Sequence, residues 1–112
     1  MTNKAEIEPL RSLAYTSISG SYAAVGTASA YPTRIICFTN TTDADMIFSR
    51  DNTLVAGELI VAAGGFKLFD ITTNHRPVNQ DDFCFQIGTQ WYVRQGSATT
   101  KGSVYIEMVY AQ

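Results

Sequence analysis

The stretch GSVYIEMVYA, residues 102–111, indicates most clearly how this chain folds. Its side chains form two alternating sets, with Val104, Ile106, Met108 and Tyr110 on one side and Tyr105, Glu107 and Val109 on the other. Because successive side chains of a β-strand point to opposite faces, this alternation predicts a long strand with one face in the core. Most of these residues are also β-branched or aromatic types that strands favour.

Shorter stretches of the same character precede it, each bounded by Gly, Asn, Asp or Pro. They are RIICFTN (34–40), ADMIFSRD (44–51), GGFKLFDI (64–71), DDFCFQIG (81–88) and QWYVRQG (90–96). No segment keeps a sustained 3.6-residue period, which helices require. The pattern therefore favours an all-β fold, an antiparallel two-sheet sandwich that is jelly-roll-like and has about eight strands. An up-and-down barrel is the alternative.

Three of these stretches carry more specific expectations. Residues 33–39 are apolar on both faces, so the strand lies between two layers or its second face is covered by another subunit. Residues 81–88 and 90–96 predict a hairpin that turns near Gly88 and Thr89. In that hairpin Phe83, Phe85 and Ile87 would face the same way as Trp91 and Val93.

The chain's length and termini bound its organisation. A chain of 112 residues has room for one domain, which we place at residues 10–112. Residues 1–9 are polar and include Pro9, so they are expected to form an N-terminal arm outside the core, and a neighbouring subunit is one candidate for what holds it.

Charge and hydropathy exclude several classes of partner. The net charge is −2 and the eight basic residues are scattered, so no phosphate-binding surface and no nucleic-acid partner is expected. No run approaches the roughly 20 apolar residues of a membrane helix, so no membrane partner is expected. The N-terminus, MTNKAEIEP, lacks the apolar core of a signal peptide, which predicts synthesis in a cytosol.

The sequence offers little catalytic or metal-binding chemistry, so it predicts no enzyme and no cofactor. His75 reads as a surface loop residue, because no orienting acid or nucleophile accompanies it, although a small hydrolase built on it is one hypothesis. The acidic residues of the turns read as turn formers rather than calcium ligands: Asp43, Asp45, Asp51, Asp81 and Asp82. Cys37 and Cys84 are expected to be buried free thiols, with a disulfide between them left open.

The succession RIICFTNTTDADMIFSRD (34–51), AAGGFKLFDITTN (62–74) and a final strand resembles small β-sandwich structural proteins of tailed-phage virions. The shared layout covers roughly residues 10–112. Length and expected fold are most similar to the capsid decoration (cement or staple) proteins. That resemblance implies a non-enzymatic virion protein that binds neighbouring major capsid subunits, often as a dimer or higher homo-oligomer, and so stabilises the head.

Apolar surface beyond the needs of one core supports an assembly role independently. We expect contacts with neighbours at six residues: Ile7, Leu10, Ile36, Phe38, Tyr105 and Val109. Neck, tail or fibre components share the layout and remain alternatives. A carbohydrate- or receptor-binding module is a further alternative, with an aromatic platform formed by Trp91, Tyr92, Tyr105 and Tyr110.

Overall fold

The protein is all-β in a computed structural model that describes residues 5–71 and 85–111. Within those ranges one 3₁₀ turn, Tyr15–Ser17, is the helical element. The strands are β1 Ala5–Ile7, β2 Arg11–Ala14, β3 Ala23–Ala24, β4 Ile35–Asn40, β5 Met46–Ser49, β6 Leu59–Val61, β7 Phe66–Asp70, β8 Tyr92–Gln95 and β9 Ser103–Ala111. No helix in these ranges is long and apolar enough to cross a membrane.

The strands form two antiparallel sheets, as expected. The first sheet follows the order β1-β9-β4-β7, with β2 also paired to β9, and the second follows β3-β8-β5-β6. The chain is in effect one long hairpin whose arms pair β2 with β9, β3 with β8, β4 with β7 and β5 with β6. Winding that hairpin brings β4 beside β9 and β5 beside β8, which is the jelly-roll arrangement. An up-and-down barrel would instead pair each strand with its sequence neighbours.

The core lies between the two sheets and is centred on Phe38. The centre of its ring lies 5.1 Å from the ring centre of Phe48 and 4.8 Å from that of Trp91, and the Phe38 and Trp91 rings meet edge to face. The β9 side chains of Val104, Ile106 and Met108 belong to the same core and are at most 2% exposed. Burying side chains of this size contributes about 1.5–3 kcal/mol each. The alternation predicted for residues 102–111 is therefore confirmed.

Asn40, at the end of β4, anchors the turn that follows it. Its amide nitrogen donates to the carbonyl oxygens of Ala44 and Val61 at 2.8 and 3.0 Å. Its side-chain oxygen accepts hydrogen bonds from the backbone nitrogen and hydroxyl of Thr42, at 2.9 and 2.6 Å. A fully buried amide is stable here because both of its ends are hydrogen-bonded. The turn at residues 40–43 is thereby tied to β6.

The hairpin predicted for residues 81–88 and 90–96 is wrong over its described part. Phe85 pairs with Thr33 through two 2.9 Å backbone hydrogen bonds, and β8 pairs with β3 and β5. The chain does turn near Gly88, but the two flanking segments lie on different neighbours. Ile87 is consequently 62% exposed and does not share a face with the buried Trp91. Residues 81–84, including Phe83, lie outside the described residues.

Part of the expected N-terminal arm is a strand of the first sheet. Ala5–Ile7 pairs antiparallel with β9, and the backbone nitrogen of Glu8 donates to the Met108 carbonyl at 3.0 Å. Glu8 itself is buried. The edge of β9 supplies the hydrogen bonds that hold this segment, so its own chain accounts for its order without a neighbouring subunit.

Candidate functional site

The two faces of the five-stranded sheet are both rich in apolar side chains, and only one of them is covered by the second sheet. The strand registers place the uncovered side chains in three rows across the strands. The rows are Ile7–Val109–Ile35–Asp70, Glu107–Cys37–Leu68 and Ser12–Tyr105–Thr39–Phe66. We call these positions the outer face. Their chain neighbours Ile36, Phe38 and Ile106 point the other way, into the core.

The outer face is open to solvent mainly at its two edges. Ile7 on β1 is 74% exposed, and Phe66 and Leu68 on β7 are 68% and 57% exposed. Between them, Ile35, Cys37 and the β9 side chains Tyr105 and Val109 are partly exposed. This arrangement gives a continuous apolar surface on a rigid sheet rather than isolated hydrophobic residues.

Three of the six residues expected at contacts with neighbours lie on the outer face. Ile7 and Val109 are direct cross-strand partners, and Tyr105 lies two rows away on the same face. Leu10 is 58% exposed in the link between β1 and β2.

Ile36 and Phe38 lie elsewhere. They are 1% and 0% exposed and belong to the core, so no partner reaches them in the folded protein. The sequence shows a strand that is apolar on both sides, but only the position of the second sheet decides which side is inside. On β4 the outward residues are Ile35 and Cys37.

Sequence reasoning missed the contribution of β7 to the outer face. Phe66 and Leu68 alternate with Lys67 and Phe69 in the GGFKLFDI stretch, which is the signal that could have identified them. The register pairs Leu68 with Cys37 and Phe66 with Thr39 on the outer face, whereas Phe69 packs edge-on against Phe38 at 6.0 Å. β7 is also the last strand of the described sheet path.

The aromatic platform considered for sugar binding is not formed. Trp91 is only 3% exposed and packs edge-on against Phe38 and Phe85. Tyr105 lies on the outer face, and Tyr110 stacks parallel on Tyr31 with ring centres 4.0 Å apart. These side chains occupy separate parts of the molecule, so they present no common surface to a ligand.

The outward side of the second sheet has a different character. The guanidinium of Arg94 lies 5.6 Å from the ring centre of Tyr22 and donates to the Val55 carbonyl. Near it, Val55 and Ile60 are 83% and 48% exposed. The guanidinium of Arg94 is thus already engaged by an aromatic ring and a carbonyl oxygen.

An open groove of about 480 Å³ lies at the end of the molecule formed by the 50–58 and 86–90 segments. Its main feature is an ion pair in which Arg50 donates to both Glu58 oxygens, at 2.9 and 2.6 Å. These hydrogen bonds lower the pKa of Glu58 and raise that of Arg50. Arg50 and Glu58 satisfy each other, so the groove offers a ligand no unpaired charge from this pair.

Two acidic residues of the turns accept hydrogen bonds from threonines. Both oxygens of Asp43 accept hydrogen bonds from Thr99 and Thr100, and Asp51 accepts them from Thr53. Over the described ranges no group of three metal-ligating side chains forms. Cys37 is a free thiol and only partly buried. His75, Asp81, Asp82 and Cys84 lie outside the described residues.

Comparison with known proteins finds a loose structural neighbour among solved structures. No family model and no curated protein matches the chain. Among solved structures, it is similar to the crystal structure of the SPP1 Dit (gp 19.1) protein, described as a paradigm of the hub adsorption apparatus in phages that infect Gram-positive bacteria. The identity is 13% and the TM-score 0.41, over 95% of this chain and 49% of that one. The chain therefore spans about half the length of the Dit protein.

Proposed function

We propose that this protein is a non-enzymatic structural subunit of a tailed-phage virion and that its outer face is covered by neighbouring virion proteins. The observation that carries the proposal is the apolar outer face, which the second sheet leaves uncovered. Residues 34–51, 62–74 and the final strand resemble small β-sandwich proteins of tailed-phage virions, and this resemblance supports a place in the virion.

Burial of this face would release appreciable free energy. Covering a large apolar side chain that is mostly exposed contributes about 1–2 kcal/mol, at about 25 cal/mol per Å². Ile7, Phe66 and Leu68 are each more than half exposed, and the partly exposed side chains between them add to the sum. Association offsets part of this gain through lost rotational and translational freedom. The face is suited to repeated, stable contact rather than to turnover of a ligand.

Within the virion, we propose that the protein decorates the capsid and binds across neighbouring major capsid subunits. A rigid sheet with an apolar outer face is suited to a surface that must resist shear and internal pressure. Neck, tail or fibre positions are the alternative, because the same face would serve between stacked rings or fibre modules. The predicted dimer or higher oligomer stays a prediction that light scattering of the free chain tests.

Imaging of virions made with and without the protein tests the proposal and its location. Loss of surface density over the capsid shell, with particles that break more easily on heating, is the expected result. Intact tails and normal heads in the absence of the protein, with no chain detected in purified particles, would overturn it. Missing density at the neck, tail or fibres would place the protein there instead, and so overturn the decoration role alone.

A matched pair of variants separates the outer face from general surface effects. Phe66→Ser with Leu68→Ser removes two apolar side chains from the outer face, and incorporation into particles should fall at least tenfold, the effect of about 1.4 kcal/mol. Ile60→Ser removes an exposed apolar side chain from the second sheet and should leave incorporation unchanged. Equal loss in both variants would contradict the role of the outer face.

A further inference from the structure

The outer face combines an apolar surface with a carboxylate that no side chain of residues 5–71 and 85–111 neutralises. Glu107 is exposed, and none of the described residues forms an ion pair or hydrogen bond with its carboxylate. No lysine or arginine occupies any of the outer-face positions. A partner that covers this face must therefore neutralise or hydrogen-bond a negative charge that lies among hydrophobic side chains.

Glu107 lies near the centre of the outer face. Its Cα is paired directly with that of Cys37, on β9 and β4, the two inner strands of the path β1-β9-β4-β7. Its row is also the middle one, with Val109 and Ile35 on one side and Tyr105 and Thr39 on the other. The charge consequently falls where a contact would be most fully dehydrated, not at a rim where water would screen it.

A second copy packed face to face meets an electrostatic obstacle. A two-fold axis through the centre of the face would bring the two Glu107 residues within roughly 5–10 Å, given a strand spacing of about 4.8 Å. Two like charges confined to an apolar contact repel strongly, because the local dielectric is low and no base is present to compensate.

Arg94, whose side chain is partly exposed, is a poor candidate for a head-to-tail contact between copies. On the outward side of the second sheet, it already packs over Tyr22 and donates to the Val55 carbonyl. Meeting Glu107 of another copy would compete with these contacts.

We propose that the outer face binds a different protein, through an apolar surface that carries a lysine or arginine placed to meet Glu107. The inference rests on the proposed function and adds the chemistry of the partner. An arginine suits the position well, since its planar fork can bond both carboxylate oxygens while its flat faces pack against apolar neighbours. The carboxylate then fixes the orientation of the partner, and the apolar side chains around it supply most of the affinity.

The proposal is tested with the chain alone, using Cys37 as a reporter at the centre of the face. In a Cys84→Ser background, the Glu107→Lys variant carries the cation on an otherwise identical apolar face. The unchanged chain and the Glu107→Lys variant are mixed in equal amounts and treated with a short bis-maleimide, which links two Cys37 thiols that lie close together. The mixture should give about tenfold more cross-linked dimer than either chain alone, because an interfacial charge pair commonly strengthens binding by about that factor. Added salt should reduce the gain.

The matched control is a charge reversal at Glu6, which does not lie on the outer face. Glu6 is on β1 but points to the side opposite Ile7, so Glu6→Lys mixed with the unchanged chain should show no gain. Circular dichroism of each variant verifies that it is folded. In particles, Glu107→Lys should lower incorporation at least tenfold, whereas Glu6→Lys should not.

Two outcomes would overturn the proposal. If the unchanged chain cross-links as efficiently as the mixture, a second copy covers the face. If the mixture exceeds neither component, Glu107 has no part in recognition. The proposed function is tested by a separate measurement. It fails if the chain is absent from purified particles, whatever the cross-linking result.

Discussion

Arg11 Nη2 donates a 2.9 Å hydrogen bond to Glu8 Oε1, and both side chains of this ion pair are almost fully buried. The Glu8 carboxylate also accepts hydrogen bonds from the backbone nitrogens of Ala30 and Tyr31, at 3.1 and 3.3 Å. The pair therefore connects the start of the chain to the segment that leads into β4.

Arg11 makes three further hydrogen bonds. They go to the carbonyl oxygens of Pro9 at 2.8 Å, Ala28 at 3.0 Å and Thr27 at 3.2 Å. A buried ion pair is tolerated when its remaining hydrogen-bonding groups are satisfied in this way, and removal of one partner leaves the other charge uncompensated.

Glu8→Ala should lower the free energy of unfolding by about 3–5 kcal/mol, because it leaves the Arg11 guanidinium buried without its counter-charge. Urea denaturation followed by tryptophan fluorescence measures the change. Glu6→Ala, two residues away and partly exposed, is the matched control and should change stability by less than about 0.5 kcal/mol. Similar effects for the two variants would show that Glu8 is not buried as described.

Gly102 should be far less tolerant of substitution than Gly64. Both have a left-handed backbone, with φ of 90° and 73°. A Cβ at Gly102 would overlap the carbonyl oxygen of Thr41, whereas one at Gly64 meets nothing within 4 Å. Gly64→Ala should therefore cost about 1 kcal/mol, the conformational penalty alone, and Gly102→Ala about 3 kcal/mol or more. Equal thermal stability of the two variants would contradict the close approach of these turns.

The loop before β9 should loosen in acid through Asp43. Hydrogen bonds from the Thr100 and Thr99 hydroxyls, then from the Thr100 backbone nitrogen, hold the pKa of Asp43 well below its ordinary value of 3.8. A carboxyl whose pKa is lower in the folded state stabilises the fold fully above its unfolded value, and that contribution disappears as the pH falls through the folded one.

Unfolding measured from pH 7 down to about pH 2 should thus show a steeper acid loss for the unchanged chain than for Asp43→Asn. Above about pH 5 the difference between the two should be constant. An NMR titration that puts the Asp43 pKa at or above 3.8 would contradict the hydrogen-bonded loop.

The sequence predicts the strands better than their partners. The alternation in residues 102–111 identifies the inward and outward sides of β9 correctly, because burial leaves a two-residue period in a strand. The same logic predicted a hairpin at residues 81–96, yet Phe85 pairs with Thr33. In a wound hairpin, pairing joins segments that are distant in the chain, and no local pattern records which segments meet.

The residues expected at contacts divide for the same reason. Ile7, Tyr105 and Val109 lie on the outer face, where contact with a neighbour stays a prediction, whereas Ile36 and Phe38 are core residues. A strand that is apolar on both sides, as β4 is, does not reveal which side the second sheet covers. Similarly, Glu8 lies in a polar stretch beside Pro9, and its burial depends on Arg11 and on a backbone segment about 20 residues away.

The rate at which Cys37 reacts with a maleimide, in the free chain and in purified particles of a Cys84→Ser background, tests the central claim most directly. Cys37 lies near the centre of the outer face and is a partly exposed free thiol. If neighbouring virion proteins cover that face, the thiol should react at least tenfold more slowly in particles than in the free chain. Equal rates, with the chain present in the particles, would show that the outer face stays open and would contradict the account.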